Sequence, residues 1–287
     1  MRQESKIGVV ILNFRNYLDT ISCVDSILLQ KNVNYEIVIV DNGSKNESAE
    51  ILKNKYESVE HVTLLILDEN LGYAKGNNAG IEILHEKKCD YMVIANSDLK
   101  FTSSNILKQL IDADENGVGL LIPIIRNLDG SIEQRVAYKR KFFLIRMMKC
   151  IVMAQIKRLK FIFLKKAVVH HSNEVIEFYK AQLGIQKDFL MVSGSCFMLT
   201  PSFFQHYRFL FPETFLYFEE WATSIFLYKA GLFSKVVETD VILHKGAAST
   251  SSVIKKNKVV MAAQSGRRLF KLIFMSRSMI EKKYCGG

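Results

Sequence analysis

An α/β protein with an open, mostly parallel sheet, a basic helical insert and a basic helical tail is predicted by three observations. Apolar runs of strand length alternate with helical patterns through the first hundred residues, polar residues cluster just past the strand ends, and positive charge gathers in two segments. Strands that alternate with helices imply right-handed crossovers and parallel pairing.

The elements follow in order. Ile7 to Leu12 is a continuous apolar run, as expected of a strand buried on both faces. Residues 19–30 place Ile21, Val24, Ile27 and Leu28 at helical spacing. A second strand is expected over 35–40, a short helix over 48–55, a third strand over 62–67, a helix over 77–86 and a fourth strand over 90–95. A further helix is expected over 103–116. Ligands of such sheets bind outside the carboxyl ends of the strands. Asn13, Asp41, Asp68 and the triplet Asn96-Ser-Asp98 all fall there, along one rim.

With 287 residues, 49% hydrophobic and 24% charged, the chain has enough apolar material for a large core, which excludes a disordered or fibrous protein. The five cysteines lack paired spacing, so neither a zinc cage nor a disulfide framework is indicated, and a reducing compartment is expected. No apolar signal region precedes the first strand and no apolar run reaches the roughly 18 residues of a membrane span. A cytoplasmic location is the expectation. Residues 134–173 carry eleven Lys/Arg and no acid, and residues 255–287 carry nine against Glu281 alone, so the remainder is net acidic. A nucleic-acid protein more often spreads its positive charge over the binding domain, so no nucleic-acid partner is expected.

Three segments carry more specific chemistry: Val38 to Ser44, with Asp41-Asn-Gly-Ser44; Asn70 to Ile81, a glycine-loosened loop feeding a helix; and Tyr91 to Asp98, a buried strand ending on a carboxylate. By itself Asp41-Asn-Gly-Ser44 reads equally as a turn and helix cap. Together the three resemble glycosyltransferase family 2, inverting enzymes with a GT-A fold, and more narrowly its rhamnosyltransferase-like branch. The resemblance implies that Asp41 binds the base-ribose part of a nucleotide-sugar donor and that Asn13 lines the base pocket. It places Asn70, Gly72 and Asn96 around the same donor, and Asn77 and Asn78 at a helix start, where free N–H groups suit anions. Lys75 is an added cation nearby, or a solvated loop lysine. The family's Asp-x-Asp stands here as Asn96-Ser-Asp98, so Asp98 is the expected ligand of Mg²⁺ or Mn²⁺, which favours carboxylate and phosphate oxygens.

Later motifs follow the family in order. Residues 188–200 resemble its strand with Ser-Gly-small, in which Gly194 lets the backbone approach closely. The aromatic stretch from Phe215 leads to Glu219-Glu220-Trp-Ala222, where the family usually has Glu-Asp-x-Asp. Glu220 aligns with the base that deprotonates the acceptor, and Glu219 with a supporting carboxylate. Ala222 stands in place of the third acid, which leaves the choice between the two glutamates open. Two glutamates in a first turn also simply complement the helix dipole. Residues 241–250 resemble the family's His-x-Gly-x-x-Ser, in which His244 completes the metal site or contacts the diphosphate; Lys245 beside it is a cation that can pair with phosphate oxygens.

The resulting organisation is a nucleotide-sugar-binding half over 1–133, a basic amphipathic helical insert over 134–173, an acceptor-side half over 174–254 and a basic helical tail over 255–287. In the insert Arg146, Lys149, Lys157 and Lys160 share a helical face, with Phe143, Leu144, Ile151, Ile162 and Phe163 elsewhere. Basic amphipathic helices read as membrane-surface anchors, or as an internal subdomain with solvated lysines. The expected reaction is transfer from a nucleoside-diphosphate sugar, with dTDP-rhamnose or a UDP-sugar as candidates, to a saccharide or lipid-linked saccharide in surface polysaccharide synthesis. The alternatives are a nucleotidyltransferase, disfavoured because Leu12 to Asn16 has no phosphate-loop glycine, and a non-catalytic basic binding module.

Overall fold

The computed structural model describes residues 5–133, 136–164, 183–185, 187, 189–246 and 255–284. The first half alternates β1 (Lys6–Asn13), α1 (Tyr17–Ile27), β2 (Asn34–Asp41), α2 (Ser48–Tyr56), β3 (Val62–Ile66), α3 (Tyr73–Glu86) and β4 (Tyr91–Asn96). Then come β5 (Leu99–Phe101), α4 (Ile106–Asp112), β6 (Val118–Ile122), β7 (Ile125–Asn127), β8 (Val136–Lys139) and α5 (Phe143–Leu164). The second half holds β9 (Gly184–Ile185), β10 (Phe189–Val192), β11 (Cys196–Leu199), α6 (Pro201–Phe204), α7 (Glu219–Ala230), β12 (Phe233–Val236), β13 (Ile242–His244), α8 (Lys255–Phe274) and α9 (Arg277–Tyr284).

Eight strands form one sheet in the order β3-β2-β1-β4-β11-β6-β12-β9. The four strands from β3 to β4 are parallel, while β11 runs antiparallel to both β4 and β6. Period-two alternation splits β1 between two cores. Val10 packs on one face with Ile81 and Leu84 of α3, whereas Val9 and Ile11 pack on the other with Val24 and Ile27 of α1.

Two pairings build the site. Antiparallel β11 meets β4 with Cys196 opposite Ala95, and the Asn96 amide donates to Ser195 O at 2.8 Å, so Gly194 lands beside the end of β4. A small sheet in the order β5-β13-β7 registers His244 against Leu99, the residue after Asp98.

Several boundaries differ from expectation. The helix expected over 103–116 is confined to Ile106–Asp112. The one expected from Asn77 begins a turn earlier at Tyr73, because Gly72 adopts φ 82°, a left-handed value that favours glycine, and ends the incoming loop there. Residues 136–139, inside the expected helical insert, form a strand paired with β10. Helix α5 packs on α8: Gly266 faces Ile151, and Gln155 donates to Ala263 O at 2.7 Å. The side chains of Lys160, Ile162 and Phe163, residues 165–173 and the Ser249-Thr250 end of the histidine motif lie outside what is described. Among the described residues no helix is long and apolar enough to cross a membrane.

Candidate active site

A cavity of about 390 Å³ opens where β4, β11 and α7 meet, lined by Tyr73, Asn96, Gly194, Glu219, Glu220 and His244, among others. The segment entering α7 carries two consecutive non-glycine residues in left-handed conformation, Tyr217 at φ 72° and Phe218 at φ 73°. Bulky residues there cost on the order of 1–3 kcal/mol each, a pattern that clusters at functional sites. The segment is pinned from both sides: the Tyr73 amide donates to Phe215 O at 2.9 Å, and Ser265 Oγ donates to Leu216 O at 3.0 Å. The sharp entry aims the first-turn glutamates into the cavity.

The Glu220 carboxylate lies against Gly194, where a Cβ would overlap its Oε1. Gly194 therefore makes room for the carboxylate, a use of the glycine beyond the close backbone approach anticipated. Tyr73 OH donates to Gly194 O at 3.3 Å and closes the floor. Burial raises the pKa of Glu219 to about 8, with the neighbouring Glu220 charge adding to it, and burial likewise raises Glu220. The two titrate as a pair. Among the described residues Glu219 Oε1 has no hydrogen-bond partner.

Next to Gly194 a relay of polar groups runs from Ser195 through Glu133 and His244 to Asp98. Ser195 Oγ donates to Glu133 Oε2 at 2.5 Å, and the same oxygen lies 3.3 Å from His244 Nδ1. His244 Nε2 is 3.3 Å from Asp98 Oδ1. The interaction with Asp98, then that with Glu133, holds the imidazole pKa up at about 10 despite partial burial. No group of three or more His, Cys, Asp or Glu is arranged to hold a metal among the described residues. Asp98 and His244 do fit as a pair of ligands. Two cis ligands of an octahedral ion with bonds of ~2.1 Å stand about 3 Å apart, close to the Nε2 to Oδ1 separation, and such ions commonly complete their shell with phosphate oxygens and water. Glu133 on Nδ1 is the kind of partner that orients a ligating histidine. Sequence reasoning missed Glu133. It sits on no motif, and the available signal was that it is the last acid before the long acid-free basic run.

The other rim residues form a separate cluster at the ends of β1 and β2. Asp41 Oδ1 accepts from the Ser44 amide at 3.1 Å and from its hydroxyl. Asn13 is buried between Thr20, which donates to its Oδ1 at 2.8 Å, and Ser44. Asn70 Oδ1 accepts from the Gly72 amide at 2.8 Å and from Asn42 at 3.1 Å, which fastens the loop before α3 to the end of β2. Lys75 is exposed on α3.

One expectation is corrected, and a second residue meets a partner the sequence did not indicate. Because α3 starts at Tyr73, Asn77 and Asn78 sit in its second turn and do not offer free helix-start N–H groups. Asn77 Nδ2 bonds Tyr73 O at 2.9 Å, and both amide atoms of Asn78 clamp the backbone of Leu210, at 2.8 and 2.9 Å. Lys245 Nζ is drawn to Asp19 Oδ1 at 2.6 Å, on α1, instead of facing the cavity.

This arrangement of a parallel half-sheet, an antiparallel β11 and a carboxylate past β4 is the GT-A glycosyltransferase fold. Similar solved structures include the mannosyltransferase PcManGT from Pyrobaculum calidifontis in complex with GDP-Man and Mn²⁺, with TM-score 0.55 and 11% identity over 87% of this chain and 59% of that one. Another is GalNAc-T7 with UDP, GalNAc and Mn²⁺, with TM-score 0.58 and 14% identity over 85% and 44%. The model of Glycosyl transferase family 2 matches residues 9–208, and the chain belongs to that family. Among curated relatives, glycosyltransferase GlyA of Streptococcus pneumoniae serotype 4 is 36% identical over 34% of this chain and 14% of its own length. Glycosyltransferase GlyG of the same organism is 30% identical over 46% of this chain and 42% of its own. The chain thus matches less than half of either relative.

Proposed function

We propose that the chain is an inverting glycosyltransferase that moves a sugar from a nucleoside-diphosphate donor to a saccharide or lipid-linked saccharide acceptor. The observation that carries this reading is one cavity of about 390 Å³ that Glu220 and His244 both line, with Asp98 Oδ1 3.3 Å from the imidazole. Membership in glycosyl transferase family 2 supports it, and the two solved neighbours of the same fold hold GDP-Man or UDP with Mn²⁺.

Glu220 accepts the proton of the acceptor hydroxyl as its oxygen attacks the anomeric carbon from the face opposite the nucleotide. The bond from that carbon to the diphosphate oxygen breaks, its electron pair leaves with the diphosphate, and configuration inverts. A divalent cation held by Asp98 and His244 with diphosphate oxygens would neutralise the leaving group's charge. Glu133 holds the imidazole in orientation through Nδ1. Glu219, beside Glu220 and without a partner for Oε1 among the described residues, binds an acceptor hydroxyl. Asp41 and Asn13 contact the nucleotide. The exposed apolar side chains of Ile145, Val152, Ile156 and Leu159 on α5, with the basic residues around them, support peripheral attachment to an anionic cytoplasmic membrane face, as surface polysaccharide synthesis requires.

The test is turnover with a panel of nucleoside-diphosphate sugars, together with calorimetric titration of nucleoside diphosphate with and without Mn²⁺. Asp98→Ala should weaken the metal-dependent binding and reduce turnover by a few orders of magnitude. Wild-type behaviour in Asp98→Ala removes that residue from the site, and turnover of no donor by the native chain refutes the reading.

A further inference from the structure

A second cleft, of about 510 Å³, lies behind the segment that enters α7, and Phe215, Arg267, Arg268 and Lys271 are among its lining residues. Leu216 to Phe218 face the active-site cavity, so the segment is the wall between the two spaces. Glu213 is the one carboxylate among the described lining residues, and it is already engaged: Lys283 Nζ and Tyr284 OH each lie 2.6 Å from its Oε1, with Arg268 at 3.8 Å from Oε2. Arg267 Nε bonds Gln155 Oε1 at 3.1 Å. The cleft is therefore net positive, and guanidinium groups suit phosphate oxygens in particular.

An apolar surface adjoins these cations. Phe270 and Phe274, which make an edge-on pair at 5.0 Å, are 43% and 65% exposed on the same helix. The contacts of Ile151 with Gly266 and Gln155 with Ala263 run α5 and α8 antiparallel, so the two phenylalanines extend toward the Ile145 end of α5, where Ile145 is 63% exposed. A cationic cleft that opens onto exposed aromatic and aliphatic side chains matches one kind of molecule, an amphiphile with an anionic head.

We infer that the cleft binds the phosphate or diphosphate of a lipid-linked acceptor, with Arg267, Arg268 and Lys271 on the phosphate, Phe270 and Phe274 along the first part of the lipid, and the saccharide reaching past Phe215 to Glu220. This deepens the transferase reading and rests on it.

Binding to the full chain separates the possibilities when measured calorimetrically in EDTA, which silences the metal-dependent donor site. The probes are farnesyl diphosphate, inorganic diphosphate and phosphatidylglycerol vesicles. Farnesyl diphosphate should bind wild type and Asp98→Ala alike, and more tightly than inorganic diphosphate. Arg267→Gln/Arg268→Gln/Lys271→Gln should weaken it ~10- to 100-fold, since each cation near an anionic surface contributes roughly a factor of five. Lys271→Gln alone, at an exposed position, should show a smaller loss in the same direction should the triple variant fold poorly. Farnesyl diphosphate binding that is absent, or unchanged in these variants, overturns the inference. Equal binding of both diphosphates overturns the lipid assignment, and binding of vesicles alone makes the cations headgroup contacts, which overturns it too. Nucleoside diphosphate with Mn²⁺ should bind the triple variant as it binds wild type; if wild type fails to bind it, the transferase reading falls separately.

Discussion

Gly194→Ala isolates the role of the Glu220 carboxylate without touching its chemistry. An added Cβ would overlap Oε1 and lie 3.3 Å from Cδ, so only the tip of a flexible side chain has to move. Gly194 is not among the positive-φ glycines, so alanine meets no backbone penalty. The stability cost should therefore stay below ~1 kcal/mol, toward the low end for small overpacking. Catalysis should suffer far more, because displacing a catalytic group by ~1 Å costs ~10²-fold, or about 2.7 kcal/mol of barrier. The assay is release of nucleoside diphosphate by wild type, Gly194→Ala, Glu220→Gln and the double variant, with thermal melting and donor titration in parallel. Donor affinity and melting temperature should hold, turnover should fall, and alanine should add little further loss once Glu220 is gone, the mark of two residues acting through one another. Full turnover in Gly194→Ala, or losses that simply multiply in the double variant, would refute the argument that this glycine exists to seat the base.

Further outcomes are expected. Glu220→Gln should lower transfer ~10²- to 10⁴-fold with donor binding intact, and Glu219→Gln less; a dead Glu219→Gln beside an active Glu220→Gln would reverse the two roles. Because burial lifts the native Glu219 pKa from 4.5 to about 8, the folded state holds a proton that the unfolded chain releases, and stability should decline as pH rises through that window. Glu219→Gln should flatten this decline and gain on the order of 1–2 kcal/mol near pH 8, read from melting temperature against pH; an unchanged slope would count against the shift. The protein should sediment with anionic but not neutral vesicles and be released by high salt, and indifference to both would remove the surface-anchor role.

The strands, their parallel order and the rim of polar residues were legible in the sequence because they follow from local patterns. Apolar runs bounded by polar residues mark buried strands, and the carboxyl ends of parallel strands bring whatever ends or follows them to one rim, as at Asp41 and Asp98. Ordered motifs further along the chain pointed to His244 and the glutamate pair. What side chains do at those positions depends on partners far away in sequence, and the tertiary structure alone decided it. Lys245 follows His244 directly yet turns to Asp19, since a nearby carboxylate outbids open solvent for a flexible ammonium. Gly72 starts α3 one turn early, which converts Asn78 into a clamp on Leu210. Glu133 belongs to no motif and reaches His244 only because β7 and β13 pair side by side. The left-handed Tyr217 and Phe218 break every local preference, and the chain leading into them is held by bonds from Tyr73 to Phe215 O and from Ser265 to Leu216 O. Periodicity encodes which face of an element is buried; it carries no information about which distant group a polar side chain will meet once long-range register is set.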